Sequence, residues 1–119
     1  MKHEILVIDD NYDIRFLICG ILKEKDFIVR SAANFSQAMT EINKKLPDLA
    51  IVDIKLEKDD KAGINILKHI VKLNKSTPVI MISGHANVQL AVEAIRLGAY
   101  EFIEKPFSTE KILNYVNIL

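Results

Sequence analysis

Short apolar runs alternate with helix-period segments along the whole of this 119-residue chain. The runs fall at residues 5–8, 27–30, 49–52, 79–82 and 100–103. The first, third and fourth are apolar throughout, as strands covered on both faces of a parallel sheet must be. The second ends in Arg30, as an edge strand does. Between the runs lie amphipathic segments. Ile14, Leu17, Ile18, Ile21 and Leu22 form one stripe, and Phe35, Ala38, Met39, Ile42 and Leu46 form another. Residues 63–73 read as a third helix, and Val88, Ala91, Val92 and Ile95 stripe a fourth. Ile112, Leu113 and Val116 stripe a fifth that starts at Ser108 or Thr109. Asn34 is a cap for the second helix, Pro47-Asp48 stops it, and Gly98 is placed to end the fourth in a left-handed conformation. Five βα units with right-handed crossovers wind into an α/β doubly wound parallel sheet.

Composition limits the function more than the fold. Half the residues are hydrophobic, and sixteen Lys and Arg balance sixteen Asp and Glu. A net charge of zero gives no electrostatic case for nucleic acid or a membrane surface, so any charge-driven chemistry is local. The single Cys19 allows no intrachain disulfide and reads as a buried core thiol. No transmembrane span or signal peptide is present, and a cytoplasmic location is the expectation. Neither repeats nor a linker divide the chain, which reads as a single domain over residues 1–119.

In such sheets ligands bind beyond the carboxyl ends of the strands. Asp9 and Asp10 follow the first strand, Asp53 the third, Ser83 and Gly84 the fourth, and Glu104, Lys105 and Pro106 the fifth. If the first and third strands are neighbours, three carboxylates converge. Two carboxylates ~5 Å apart at an effective dielectric of ~20 repel by about 3 kcal/mol, and three pairs approach about 10, comparable to a domain's whole stability. Relief comes from a hard cation such as Mg²⁺ on Asp9 and Asp10, with Lys105 as a second counter-charge. Each residue also has a plainer role: Asp10 or Asn11 as a helix cap, Asp53 as a turn residue, Lys105 as a solvated loop lysine. Their joint arrival at one sheet edge is what those roles do not explain. Carboxylates, a hydroxyl and a lysine together suit phosphoryl transfer, with Asp53 as the nucleophile and Ser83 as a donor to a phosphoryl oxygen.

The pieces "VIDD" at 7–10, "LAIVDIKL" at 49–56, "PVIMISGHA" at 78–86 and "GAYEFIEKPF" at 98–107 resemble, in this order, a response-regulator receiver domain of two-component signalling. The stretch at 83–107 is similar to nitrogen-regulation regulators of the NtrC/NtrX type. The resemblance implies a (βα)5 flavodoxin-like sheet of strand order 2-1-3-4-5. It implies that Asp53 accepts a phosphoryl group from a sensor histidine kinase. Asp10, Asp53 and the backbone carbonyl of Lys55 would hold Mg²⁺ directly, and Asp9 through water. Ser83 would be the switch hydroxyl, Lys105 the phosphate partner and Phe102 the switch aromatic, although a plain core aromatic would also sit at 102. The Lys105–Pro106 bond is often cis in this family. Phosphorylation would remodel the face of the fourth helix, fifth strand and fifth helix toward an output domain or protein partner that controls transcription, or toward a homodimer. Such a domain is a signalling phosphoacceptor that catalyses its own phosphotransfer and dephosphorylation, not a classical enzyme.

Departures from the pattern are local. Glu57 stands where most receivers have Pro, Gly63 comes ten residues after Asp53, two later than the common spacing, and Ala62 replaces the Asp before it. NtrX-like regulators have a similarly long loop. Lys58, Asp59, Asp60 and Lys61 read as solvated, and Val88 and Leu90 as exposed contact residues. His85 reads either as a surface histidine or as a shield over the phosphoryl group. Three rivals fail on local chemistry. A flavin carrier would repel its phosphate at Asp9 and Asp10, no Gly-rich Lys-Ser/Thr loop follows any strand, and Asp53-Ile54-Lys55 is not the Asp-x-Asp of a metal phosphatase. A degenerate receiver that acts only as a contact module is the remaining alternative.

Overall fold

The structure, a computed structural model, describes residues 2–84 and 88–119, Val88 by its backbone only. The elements are β1 (Glu4–Ile8), α1 (Tyr12–Glu24), β2 (Ile28–Ala32), α2 (Phe35–Lys44), β3 (Leu49–Asp53), α3 (Ala62–Leu73), β4 (Val79–Ser83), α4 (Val88–Arg96), β5 (Glu101–Glu104) and α5 (Thr109–Val116). All strand pairs are parallel, in the order β2-β1-β3-β4-β5. This is the flavodoxin-like topology expected from the sequence. Among the described residues no helix is long and apolar enough to cross a membrane.

The apolar runs serve two cores at once, because successive strand side chains point to opposite faces. Leu6, Ile8, Ala50, Val52, Val79 and Met81 pack with Ala38 and Ile42 of α2, Ile66, Leu67 and Ile70 of α3 and Ala94 of α4. Ile5, Val7, Leu49, Ile51, Ile80 and Ile82 pack with Ile18, Ile21 and Leu22 of α1 and Ile112 and Val116 of α5. A run that alternated apolar with polar would leave one layer unfilled.

Helix ends are set by local hydrogen bonds. Asn11, not Asp10, caps α1, its Oδ1 accepting the Ile14 N–H at 3.0 Å. Asn34 accepts from Gln37 at 2.8 Å, and Ser108 from Lys111 at 3.1 Å. Gly98, at φ +110°, closes α4: its N–H reaches the Ile95 carbonyl at 3.1 Å and the Ala99 N–H reaches that of Ala94 at 2.9 Å.

The structure corrects several expected faces. On α4, Val92 and Ile95 are 44% and 47% exposed, while Leu90, Ala94 and Leu97 turn inward. The two stripes share the same period, and the small Ala94 lets the helix lie close on the sheet. Leu90 is accordingly half-buried rather than an exposed contact. Leu17 and Phe35 face solvent, and Cys19 is half-buried against the second layer, its thiol pKa raised by that burial. Residues 27 and 100 lie outside the strands, which begin one residue later at Ile28 and Glu101; β2 also runs on to Ala32.

Candidate functional site

Parallel pairing brings the carboxyl ends of β1, β3 and β4 to one edge, and with them Asp9, Asp10, Asp53 and Ser83. Carboxylate oxygens of Asp9, Asp10 and Asp53 all lie within 4.8 Å of one another. Lys105 enters from the β5–α5 loop, just before a cis Lys105–Pro106 bond, and its N–H donates to the Ser83 carbonyl at 2.7 Å. Its ammonium lies 2.9 Å from Asp9 Oδ2 and donates to Asp53 Oδ2 at 3.2 Å. Ser83 is buried at the end of β4, and Phe102, half-buried on β5, packs against the layer formed with α2, α3 and α4. His85 lies outside the described residues.

The two N-terminal aspartates are held in different ways. Asp9 is fully buried, its Oδ1 accepts the Asn11 N–H at 2.9 Å, and Arg15 Nη1 donates to its carbonyl at 2.8 Å. Asp10 is exposed, and its Oδ2 accepts the N–H of Glu57, 47 positions away, at 3.0 Å. A cleft of about 530 Å³ opens here, lined by Asp10, Asp53, Lys55, Lys58, Asp60, Ser83 and Lys105, with Asp9 behind its wall.

The electrostatics fit a divalent cation. Three carboxylates against one ammonium leave two uncompensated negative charges. Burial, then the Asp9 charge, pushes the Asp53 carboxyl up to about 6 against the pull of Lys105. Burial alone would lower the Lys105 pKa, but Asp9 and Asp53 outweigh it and the net shift is upward. Asp9 Oδ2 is buried and is paired with the ammonium at 2.9 Å. A hard all-oxygen donor set that carries more negative charge than its one ammonium offsets suits Mg²⁺.

The long loop after Asp53 solves a length problem. Leu56 and Asp59 exchange backbone hydrogen bonds of 3.2 and 2.8 Å around a two-residue turn, with Glu57 at φ +51° and Lys58 at φ +71°. That turn takes up extra chain, so that Gly63 still closes on the β3 end, its N–H on the Ile54 carbonyl at 3.1 Å. A Cβ at Gly63 would lie 2.3 Å from the Asp53 carbonyl oxygen. Lys58, Asp59, Asp60 and Lys61 are exposed, as expected. The Asp10–Glu57 contact had no signal in the sequence, because it uses a backbone N–H. Also unforeseen is an aromatic pair beyond the site on α1: Tyr12 and Phe16 are 65% and 69% exposed, stacked with ring centroids 6.0 Å apart, and Arg15 lies over Tyr12 at 5.6 Å.

Residues 5–117 match the family model for the response regulator receiver domain. The chain is 41% identical over 113 residues to the nitrogen assimilation regulatory protein NtrX of Azorhizobium caulinodans, covering 95% of this chain and 25% of that protein. It thus spans about a quarter of the length of the NtrX relatives it matches. It is 35% identical over 118 residues to the chemotaxis protein CheY of Bacillus subtilis, covering 98% of this chain and 97% of that one. The crystal structure of the receiver domain of NtrX from Brucella abortus superposes with a TM-score of 0.88 at 42% identity, covering 96% of this chain and 95% of that one.

Proposed function

Because the chain belongs to the response regulator receiver domain family, as an NtrX-like signalling module of the CheY type and not a classical enzyme, we propose that Asp53 accepts a phosphoryl group from a phosphohistidine of a sensor histidine kinase. An Asp53 carboxylate oxygen attacks phosphorus; the new P–O bond forms as the donor's P–N bond breaks, and the imidazole leaves with the electron pair. The observation that carries this reading is the buried Asp53 carboxylate lining the cleft, hydrogen-bonded to the Lys105 ammonium at 3.2 Å and close to Asp9 and Asp10. Lys105 compensates charge on the transferred group, and the Ser83 hydroxyl donates to one of its oxygens. Mg²⁺ held by Asp10, Asp53 and the Lys55 carbonyl, with Asp9 acting through water, would neutralise the phosphoryl oxygens. The assignment of Asp9 to the outer position is supported by its burial behind the cleft wall, where Asp10 and Asp53 are lining residues. Hydrolysis of the acyl phosphate by water restores Asp53.

Output follows from the move of Ser83 toward the phosphoryl group and of Phe102 into the space it leaves, which reshapes the α4–β5–α5 face. The exposed Val92, Ile95 and Tyr100 lie on that face and support its use by an output domain, a protein partner or a second copy. The chain works in the cytoplasm and takes part in transcription regulation without touching nucleic acid itself.

The test is incubation with Mg²⁺ and acetyl phosphate followed by intact mass. One added phosphoryl group in the wild type and none in Asp53→Asn is the expected result. No modification by small donors or by histidine kinases would leave a contact-only module as the better reading.

A further inference from the structure

We propose that the 56–59 turn is a positioning device for Asp10, its Glu57 backbone N–H holding that carboxylate in the place from which it binds the cation; the inference rests on the reading of this cleft as a divalent-cation site. Asp10 is exposed and sits beside two like charges. Among the described residues the Lys105 ammonium pairs with Asp9 and Asp53 and makes no ion pair with Asp10. Left alone, Asp10 would swing into water, away from the other carboxylates. The Glu57 N–H, at 3.0 Å, is the donor that keeps it in.

The turn is built to present that N–H. Glu57 and Lys58 both occupy the left-handed region, at φ +51° and +71°. Two consecutive positive φ values define the mirror-image two-residue turn, for which Asn-Gly is the preferred sequence and Glu-Lys is not. Local preference therefore does not make this turn. Its flanks do: Leu56 is buried, Leu56 and Asp59 exchange two backbone hydrogen bonds, and Asp59 Oδ1 accepts the Lys61 N–H at 2.9 Å at the start of α3. One loop thereby governs two proposed ligands, Asp53 through the chain and Asp10 through a hydrogen bond. Only the backbone of residue 57 is used, which separates this role from a general need for a glutamate.

Mn²⁺ binding, followed by the electron paramagnetic resonance signal of the free ion, tests the idea without reference to activity. Glu57→Pro removes the N–H and forbids the positive φ, and is expected to weaken Mn²⁺ binding about 10-fold, the scale seen when partners of metal ligands are lost. Glu57→Ala keeps the N–H and is expected to bind within about 2-fold of wild type. If Glu57→Pro does not fold, an amide-to-ester exchange at residue 57 removes the same donor and is expected to show the same loss. Wild-type affinity in a folded Glu57→Pro or ester protein overturns the inference alone. A wild type that binds no Mn²⁺ overturns the cation reading, and the inference with it.

Discussion

Asp53 carries two opposed demands. As the proposed nucleophile it must be ionised, yet burial and Asp9 raise its pKa to about 6. Between about pH 4 and 6 the folded protein therefore holds a proton that the unfolded chain releases. Stability from this group falls as pH rises through that window, and above it the charge is a standing cost to the metal-free protein. Asp53→Asn removes the cost. In EDTA it is expected to be more stable than wild type by about 1–2 kcal/mol at pH 7.5, with the gap shrinking to about a third of that by pH 4.5. Urea melts at the two pH values check this; an equal gap at both would place the strain elsewhere. Functional demand and stability thus pull against each other at one carboxylate. Lys105 relieves only part of the conflict, because its single charge is shared with Asp9.

At the scale of elements, two glycines show how differently helix positions tolerate a side chain. Gly63, in the first turn of α3, faces the backbone that carries Asp53, and a Cβ there would lie 2.5 Å from Ile54 Cα and 2.6 Å from its carbonyl oxygen. Backbone cannot step aside cheaply, so Gly63→Ala is expected to cost at least about 2 kcal/mol and to slow phosphorylation by displacing Asp53. At Gly20, on the exposed side of α1, an added Cβ would meet nothing within 4 Å among the described residues. Gly20→Ala is expected to stabilise by about 0.5–1 kcal/mol through helix propensity. Thermal denaturation of the two variants, with the rate of acetyl phosphate labelling for the first, gives opposite signs. The same scale explains α4. A 3.6-residue period fixes that a helix has faces, but which face turns inward depends on fit, and the sheet accepts Leu90, Ala94 and Leu97 and leaves Val92 and Ile95 outside.

Over the whole molecule, the central sheet is a wall between two apolar layers, and stability is concentrated where a helix seals it. Leu67 of α3 is fully buried, and Leu67→Ala is expected to cost about 2–5 kcal/mol in urea denaturation. Phe16, larger but 69% exposed, is expected to cost under about 0.5 kcal/mol when changed to Ala. Comparable losses at both would mean that the α1 aromatic pair is part of the core.

Short apolar runs in alternation with amphipathic segments were enough to read a doubly wound parallel sheet, because the first, third and fourth runs suit strands buried on both faces, while the strand order came with the family resemblance. The residues at the strand ends were legible for the same reason: parallel strands deliver whatever follows them to one edge, so Asp9, Asp10, Asp53, Ser83 and Lys105 converge by topology. Tertiary structure decided what topology leaves open. Asp9 is buried and Asp10 exposed although they are adjacent, because the next turn points one inward and the other at the loop. The 56–59 turn adopts a conformation that Glu and Lys disfavour, held by hydrogen bonds and by buried Leu56 rather than by its own residue types. Local sequence encodes periods and caps; the choice among faces, and the strain a site retains, comes from packing against segments far away in the chain.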